Sequence, residues 1–183
     1  MKRIEGKLLI ASPHLHDPSF CRAVILVLKH DPNEAFGLIL NRPTDHRLSD
    51  VIAMVSKVDC VHDGPLFCGG PVEGPLMALH DIPDSVEVDG RAGVAVSVHQ
   101  ESILKLVSQD DIRLRLFDGY SGWGPMQLED EIEHGSWLIT DANSENVFRE
   151  PDELWQQLVA EIGRDIVTTG INPFHLPSDP GIN

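Results

Sequence analysis

Val24-Ile-Leu-Val-Leu28, the turn Asp31-Pro-Asn-Glu34 and the run Phe36-Gly-Leu-Ile-Leu-Asn41 decide how this chain folds. Both apolar runs are continuous rather than alternating, the pattern of strands covered on both faces. The short turn between them predicts an antiparallel hairpin. Pro43 is expected to halt the second strand. Leu48, Val51, Ile52 and Val55 then recur at helical spacing and predict a short amphipathic helix.

Outward from this hairpin the pattern stays strand-rich. Gly6 to Ser12 reads as a strand ended by Pro13. Leu66-Phe-Cys68, Leu76 to His80, Val86-Glu-Val88, Val94 to Val98, Arg113 to Phe117 and Trp137-Leu-Ile-Thr140 read as further short strands. Ser102 to Ser108 reads as a helix with Ile103, Leu106 and Val107 inward. A longer helix from Pro151 to Ile162 sets Leu154, Trp155, Leu158, Val159 and Ile162 on one face and is expected to stop at Gly163. Beyond it, Pro173, Pro177 and Pro180 predict an extended tail. The expectation is one α+β domain over residues 1–163, dominated by antiparallel strands, with a tail at 164–183.

The stretch Gly119-Tyr-Ser-Gly-Trp-Gly-Pro-Met-Gln-Leu-Glu-Asp-Glu-Ile132 is the most distinctive in the chain. Three glycines in six residues predict a pliable loop around Tyr120 and Trp123. Pro125 suits a first helical residue, and Glu129 lies near the positive end of the helix it would open. Gln127 and Glu131, four residues apart, would share one face of that helix. Gly135 reads as the stop.

The 183 residues carry 29 Asp and Glu against 14 Lys and Arg, a formal charge of −15. A field of that sign repels phosphate backbones, so direct nucleic-acid binding is disfavoured. Cys21, Cys60 and Cys68 form no C-x-x-C pair, which suits a reducing compartment. No apolar run reaches a membrane span, and Leu8-Leu-Ile-Ala11 is too short for a signal-peptide core. These features predict a cytoplasmic protein with no membrane partner and no cofactor.

Several motifs occur in order: Ser12-Pro13, Asp17-Pro-Ser-Phe20, Gly37-Leu-Ile-Leu-Asn-Arg-Pro43, Gly69-Gly-Pro-Val72, Gly119-Tyr-Ser-Gly-Trp123, Gln127-Leu-Glu129 and Trp137. Their succession resembles the bacterial YqgE/AlgH family (UPF0301, DUF179). The resemblance implies a single α+β domain whose largely antiparallel, bifurcated sheet folds into a pseudo-barrel with helices outside. Some members carry the label of transcriptional regulator of alginate synthesis, with no recognised DNA-binding motif behind it. No catalytic residue is established for the family, so none is carried over. Glu34 and Met126 depart from glycines usual in the family, which bears on local backbone shape only.

Three segments emerge as a candidate binding cleft: Asn41, Arg42 and Pro43; Gly69, Gly70 and Pro71; and Tyr120, Trp123, Gln127 and Glu131. Loops and strand ends held by a rigid sheet are where sites tend to lie. Arg42 could clamp a carboxylate or pair internally; Trp123 could line the cleft or plug the fold. The Gly-Gly-Pro turn lacks the Lys-Ser/Thr ending of a phosphate loop. His14, His16 and Asp17 have no matching second ligand cluster, and no metal is expected. The expected role is a non-enzymatic regulatory or interaction protein binding a protein or small ligand. The alternatives are a hydrolase with a Cys68 nucleophile and His30 or His80 as base, and a direct DNA-binding regulator, which the charge disfavours.

Overall fold

The continuous apolar run at the hairpin sits mid-sheet, with packed layers on both sides. The computed structural model describes residues 3–82, 88–89 and 93–170. Its elements follow in the order β1 (Lys7–Ala11), β2 (Val24–His30), β3 (Ala35–Ile39), β4 (Pro43–Arg47), α1 (Leu48–Val55), β5 (Pro65–Cys68), β6 (Met77–His80), β7 (Val88–Asp89) and β8 (Ala95–Ser97). Then come α2 (Gln100–Leu106), β9 (Leu114–Asp118), β10 (Ser121–Trp123), α3 (Gln127–Glu133), β11 (Trp137–Asp141), α4 (Ser144–Val147) and α5 (Pro151–Gly170).

The fold is α+β, as expected. One sheet has five strands in the order β10-β3-β2-β1-β11; the other has six in the order β4-β5-β9-β6-β8-β7. Among the described residues, all pairings are antiparallel except β5 with β9, and neither sheet closes on itself. The hairpin pairs Ile25 with Ile39 and Val27 with Gly37, and one extra residue, Leu28, then shifts the register.

Three apolar clusters fix the layering. Leu8, Leu26 and Leu38 of the first sheet meet Phe67, Leu79, Val96 and Phe117 of the second, so the sheets pack face to face. Trp123, Leu128 and Trp137 cover the outer side of the first sheet. Helices α1 and α2 cover the outer side of the second through Leu48, Ile52, Ile103 and Leu106. Leu154 and Leu158 of α5 seal the shared core, and Trp155 donates its indole N–H to Ala11 O at 2.8 Å.

Buried Arg115 ties these layers together. Its guanidinium donates to Leu40 O at 3.3 Å, Val147 O at 3.0 Å and Arg149 O at 2.6 Å, and lies over the Phe67 ring. Desolvation pushes its pKa down to about 10, opposed by the charge of Glu150.

The second strand does end before Pro43, at Ile39, and Pro43 itself opens the edge strand β4. Three local expectations are corrected. Ser121–Trp123 is a strand rather than a loop. Helix α3 starts at Gln127, not Pro125, since Met126 takes a left-handed φ of 59° between them. Helix α5 runs through Gly163 to Gly170, so residues 164–170 are helical rather than extended. An exposed helical glycine costs only about 1 kcal/mol, less than the buried stripe of Leu154 and Leu158 supplies. The remaining tail, 171–183, and most of the Val86-Glu-Val88 strand lie outside the described residues.

Candidate functional site

The chain crosses from the first sheet to the second between β3 and β4, and returns between β9 and β10. Both crossings meet at Gly69. Its carbonyl accepts from Ile39 N at 2.9 Å and Ser121 Oγ at 3.1 Å, while its N–H donates to Asp118 O at 2.9 Å. Next to it, Val72 and Tyr120 exchange both backbone hydrogen bonds at 3.0 Å, an isolated antiparallel bridge. Backbones this close exclude side chains. A Cβ on Gly70 would lie 2.3 Å from the Tyr120 carbonyl, and one on Gly119, at φ +71°, 2.7 Å from Val72 O. The Gly-Gly-Pro segment is thus a close-approach turn.

The Val72–Tyr120 bridge stands between two hollows. On one side is an apolar cavity of about 530 Å³ lined by Leu28, Phe36, Met77, Val98 and Tyr120, with Trp123 at its back. The Tyr120 ring meets Phe36 edge-on at 6.1 Å. Glu34 sits at the rim but is ion-paired to Lys29, whose pKa is raised by hydrogen bonds to Glu34 and then Asp31. On the other side is a more polar hollow of about 590 Å³, lined by Pro43, Gly70 and Pro71 together with Asp45, His46, Glu73, Asp118 and Cys68. Val72, 36% exposed, belongs to both.

The predicted site residues divide accordingly. Pro43, Gly70 and Pro71 face the polar hollow, Tyr120 and Trp123 the apolar one, and Gly69 is buried beneath the junction. Asn41 turns to the hairpin, accepting from Val24 N and donating to Arg22 O, both at 2.9 Å. Arg42 is half-buried and reaches Cys21 O at 3.4 Å and Pro18 O at 3.5 Å. Gln127 and Glu131 line a separate hollow along α3. There Glu131 Oε2 accepts from the indole N–H groups of Trp123 at 2.9 Å and Trp137 at 2.8 Å, while its Oε1 accepts from Gln127 at 3.0 Å. Trp123, only 4% exposed, is chiefly a core residue packed on Phe20 and Trp137.

Sequence reasoning missed Phe36, Met77 and Val98 on the apolar side and Asp45, Glu73 and Asp118 on the polar side. The first three sit in apolar runs whose outward face is not marked. Asp45 lies in a polar segment that gives no strand signal, although it forms β4.

Cys68 donates its thiol to Gly70 O at 3.6 Å. Neither histidine considered as its base is placed to serve it. Cys68 pairs beside Asp118 on β9 while His80 pairs beside Leu114, four residues or about 13 Å along the strand. His30 pairs with Ala35, at the opposite end of β3 from Ile39, which bonds Gly69. Its Nε2 lies 3.1 Å from Glu129 Oε1. Leu15 N donates to Ser12 O at 2.9 Å and Ser19 N to Asp17 Oδ1 at 2.7 Å, so the chain turns on either side of His16. Among the described residues no group of three His, Cys, Asp or Glu has metal-binding geometry.

Two open, antiparallel-rich sheets joined at a glycine junction define the fold class to which this chain is matched. A family model described as DUF179, AlgH-like, covers residues 8–167, and the chain belongs to that family. A UPF0301 protein of Streptomyces avermitilis is 33% identical over 98% of this chain and 95% of its own length. One from Myxococcus xanthus is 37% identical, covering 90% and 94%. The solution structure of the AlgH protein from Pseudomonas aeruginosa aligns over the whole of both chains with a TM-score of 0.70 at 27% identity. A crystal structure of a Corynebacterium diphtheriae protein aligns over 88% of each with a TM-score of 0.68 at 26% identity. Among the described residues, no helix is long and apolar enough to cross a membrane.

Proposed function

We propose that the protein is a non-enzymatic binding module that receives a protein segment or a small ligand in the cleft at the sheet junction. The observation that carries this reading is the Val72–Tyr120 bridge, which joins two distant motifs into one wall of an apolar hollow of about 530 Å³. Concave, mostly apolar sites of this size are typical of ligand pockets. A regulatory role would then be exerted through what the cleft holds rather than through contact with DNA, in keeping with the −15 charge.

A neutral apolar fluorophore, N-phenyl-1-naphthylamine, tests the reading. It is expected to brighten on binding, and Val72→Asp and Tyr120→Ala should each weaken its binding about tenfold, equivalent to roughly 1.4 kcal/mol. Circular dichroism checks that each variant folds. No binding, or equal binding by both folded variants, would remove the proposal.

A further inference from the structure

The chemistry of the cleft narrows what it can hold. Among the described residues, neither hollow is lined by a Lys or Arg. Of the carboxylates that line them, only Glu34 is neutralised; no salt bridge among the described residues engages Asp45, Glu73 or Asp118, all of them exposed. The apolar side, by contrast, continues. Pro75 and Val98 of the Tyr120 hollow also line a groove of about 310 Å³ between α1 and α2, with Val55, Leu76 and Leu104. Val55 in its lining is 56% exposed, and its neighbour in α1, Met54, is 84% exposed. One contiguous surface therefore runs from an acidic hollow, over the Val72 ridge, through an aromatic hollow and onto an apolar helix pair.

A small molecule would fill one of these depressions. A chain can cross the ridge and place successive side chains on both sides of it. The unpaired negative charge at one end selects the sign of what arrives there, since complementary potentials set specificity and like charges are rejected. Building on the binding reading above, we infer that the cleft seats a basic amphipathic polypeptide segment, with apolar side chains in the Tyr120 hollow and the α1–α2 groove and a Lys or Arg against Asp45, Glu73 and Asp118.

Two synthetic peptides with blocked termini test this, one built of Leu and Lys and its counterpart of Leu and Glu, titrated by calorimetry into the intact protein. The Lys peptide is expected to bind, to displace N-phenyl-1-naphthylamine and to weaken with added salt; the Glu peptide is not. The double variant Asp45→Asn, Glu73→Gln is expected to bind the Lys peptide about fivefold more weakly, as two solvent-exposed charge pairs would give. The same variant should keep its affinity for the neutral fluorophore, which shows that the hollow is intact. Equal binding of both peptides, binding of neither, or Lys-peptide binding unchanged in the double variant overturns the inference. Fluorophore binding that persists in any of these cases leaves the proposed function standing, so the two fail separately.

Discussion

At the scale of single residues, Glu131 carries more of the fold than a half-exposed acid usually does. Two buried indoles and one amide converge on its carboxylate, and Gln127 passes the connection on by accepting from Gly124 N at 3.1 Å. The group therefore holds β10 and β11 to α3 at once. Glu131→Ala strands two indole donors, and urea unfolding should show a loss of about 2–3 kcal/mol. Glu131→Gln retains one acceptor oxygen for the indoles but points a second amide at Gln127, so a smaller loss is expected. A change in tryptophan emission should accompany both. An unchanged midpoint for Glu131→Ala would mean that water replaces the carboxylate without cost. The four-residue spacing pairs Gln127 with Glu131 on one helical face, and that is observed. Spacing does not reveal that two tryptophans point there, because they approach from strands whose pairing is non-local.

Elements are legible in proportion to how apolar they are. The β2–β3 hairpin is readable because continuous apolar runs flank a strong turn signal. Strands β4 and β10 are not. The residues Pro43-Thr-Asp-His-Arg47 are mostly exposed, and Ser121-Gly-Trp123 is held by its pairing with β3 rather than by its own composition. Helix α4 hides for a related reason: its capping box is Asn143 with Asn146 rather than the Ser/Thr with Glu/Gln that marks a helix start. The cleft itself is half legible. Glycine-rich turns announce the junction, whereas Phe36, Met77 and Val98 are indistinguishable from core. At Gly163 a lone glycine reads as a stop, yet the buried stripe on α5 outweighs it. The structure leaves open space around that position. Gly163→Ala is therefore expected to raise stability by about 0.5–1 kcal/mol, whereas Gly70→Ala, which drives a Cβ into the Tyr120 backbone, should fail to fold or lose several kcal/mol. Thermal denaturation of the pair decides it; destabilisation by Gly163→Ala would argue that the helix ends where the glycine suggests.

For the whole molecule, the dominant quantity is charge. With 29 acids against 14 bases, the field around the chain opposes any polyanion. The protein is expected to show no retention of duplex DNA at about 50 mM salt in a gel-shift or filter assay, since each phosphate contact must come from a Lys or Arg that displaces a counterion. Retention that falls steeply with salt would contradict this and revive direct DNA contact. The same field favours the approach of cations, and on the proposed reading the cleft is the place where apolar surface and unpaired acids coincide.

The bridge between Val72 and Tyr120 joins positions far apart in the chain, so it exists only when both sheets are assembled. Whatever lodges there can recognise only the finished protein and never the unravelled one. Heat then becomes a detector indifferent to the occupant's chemistry: a molecule present at a hundred times its dissociation constant should shift the unfolding equilibrium by about 2.7 kcal/mol. A library of peptides and metabolites could be sorted by melting temperature alone, with Tyr120→Ala as the blank.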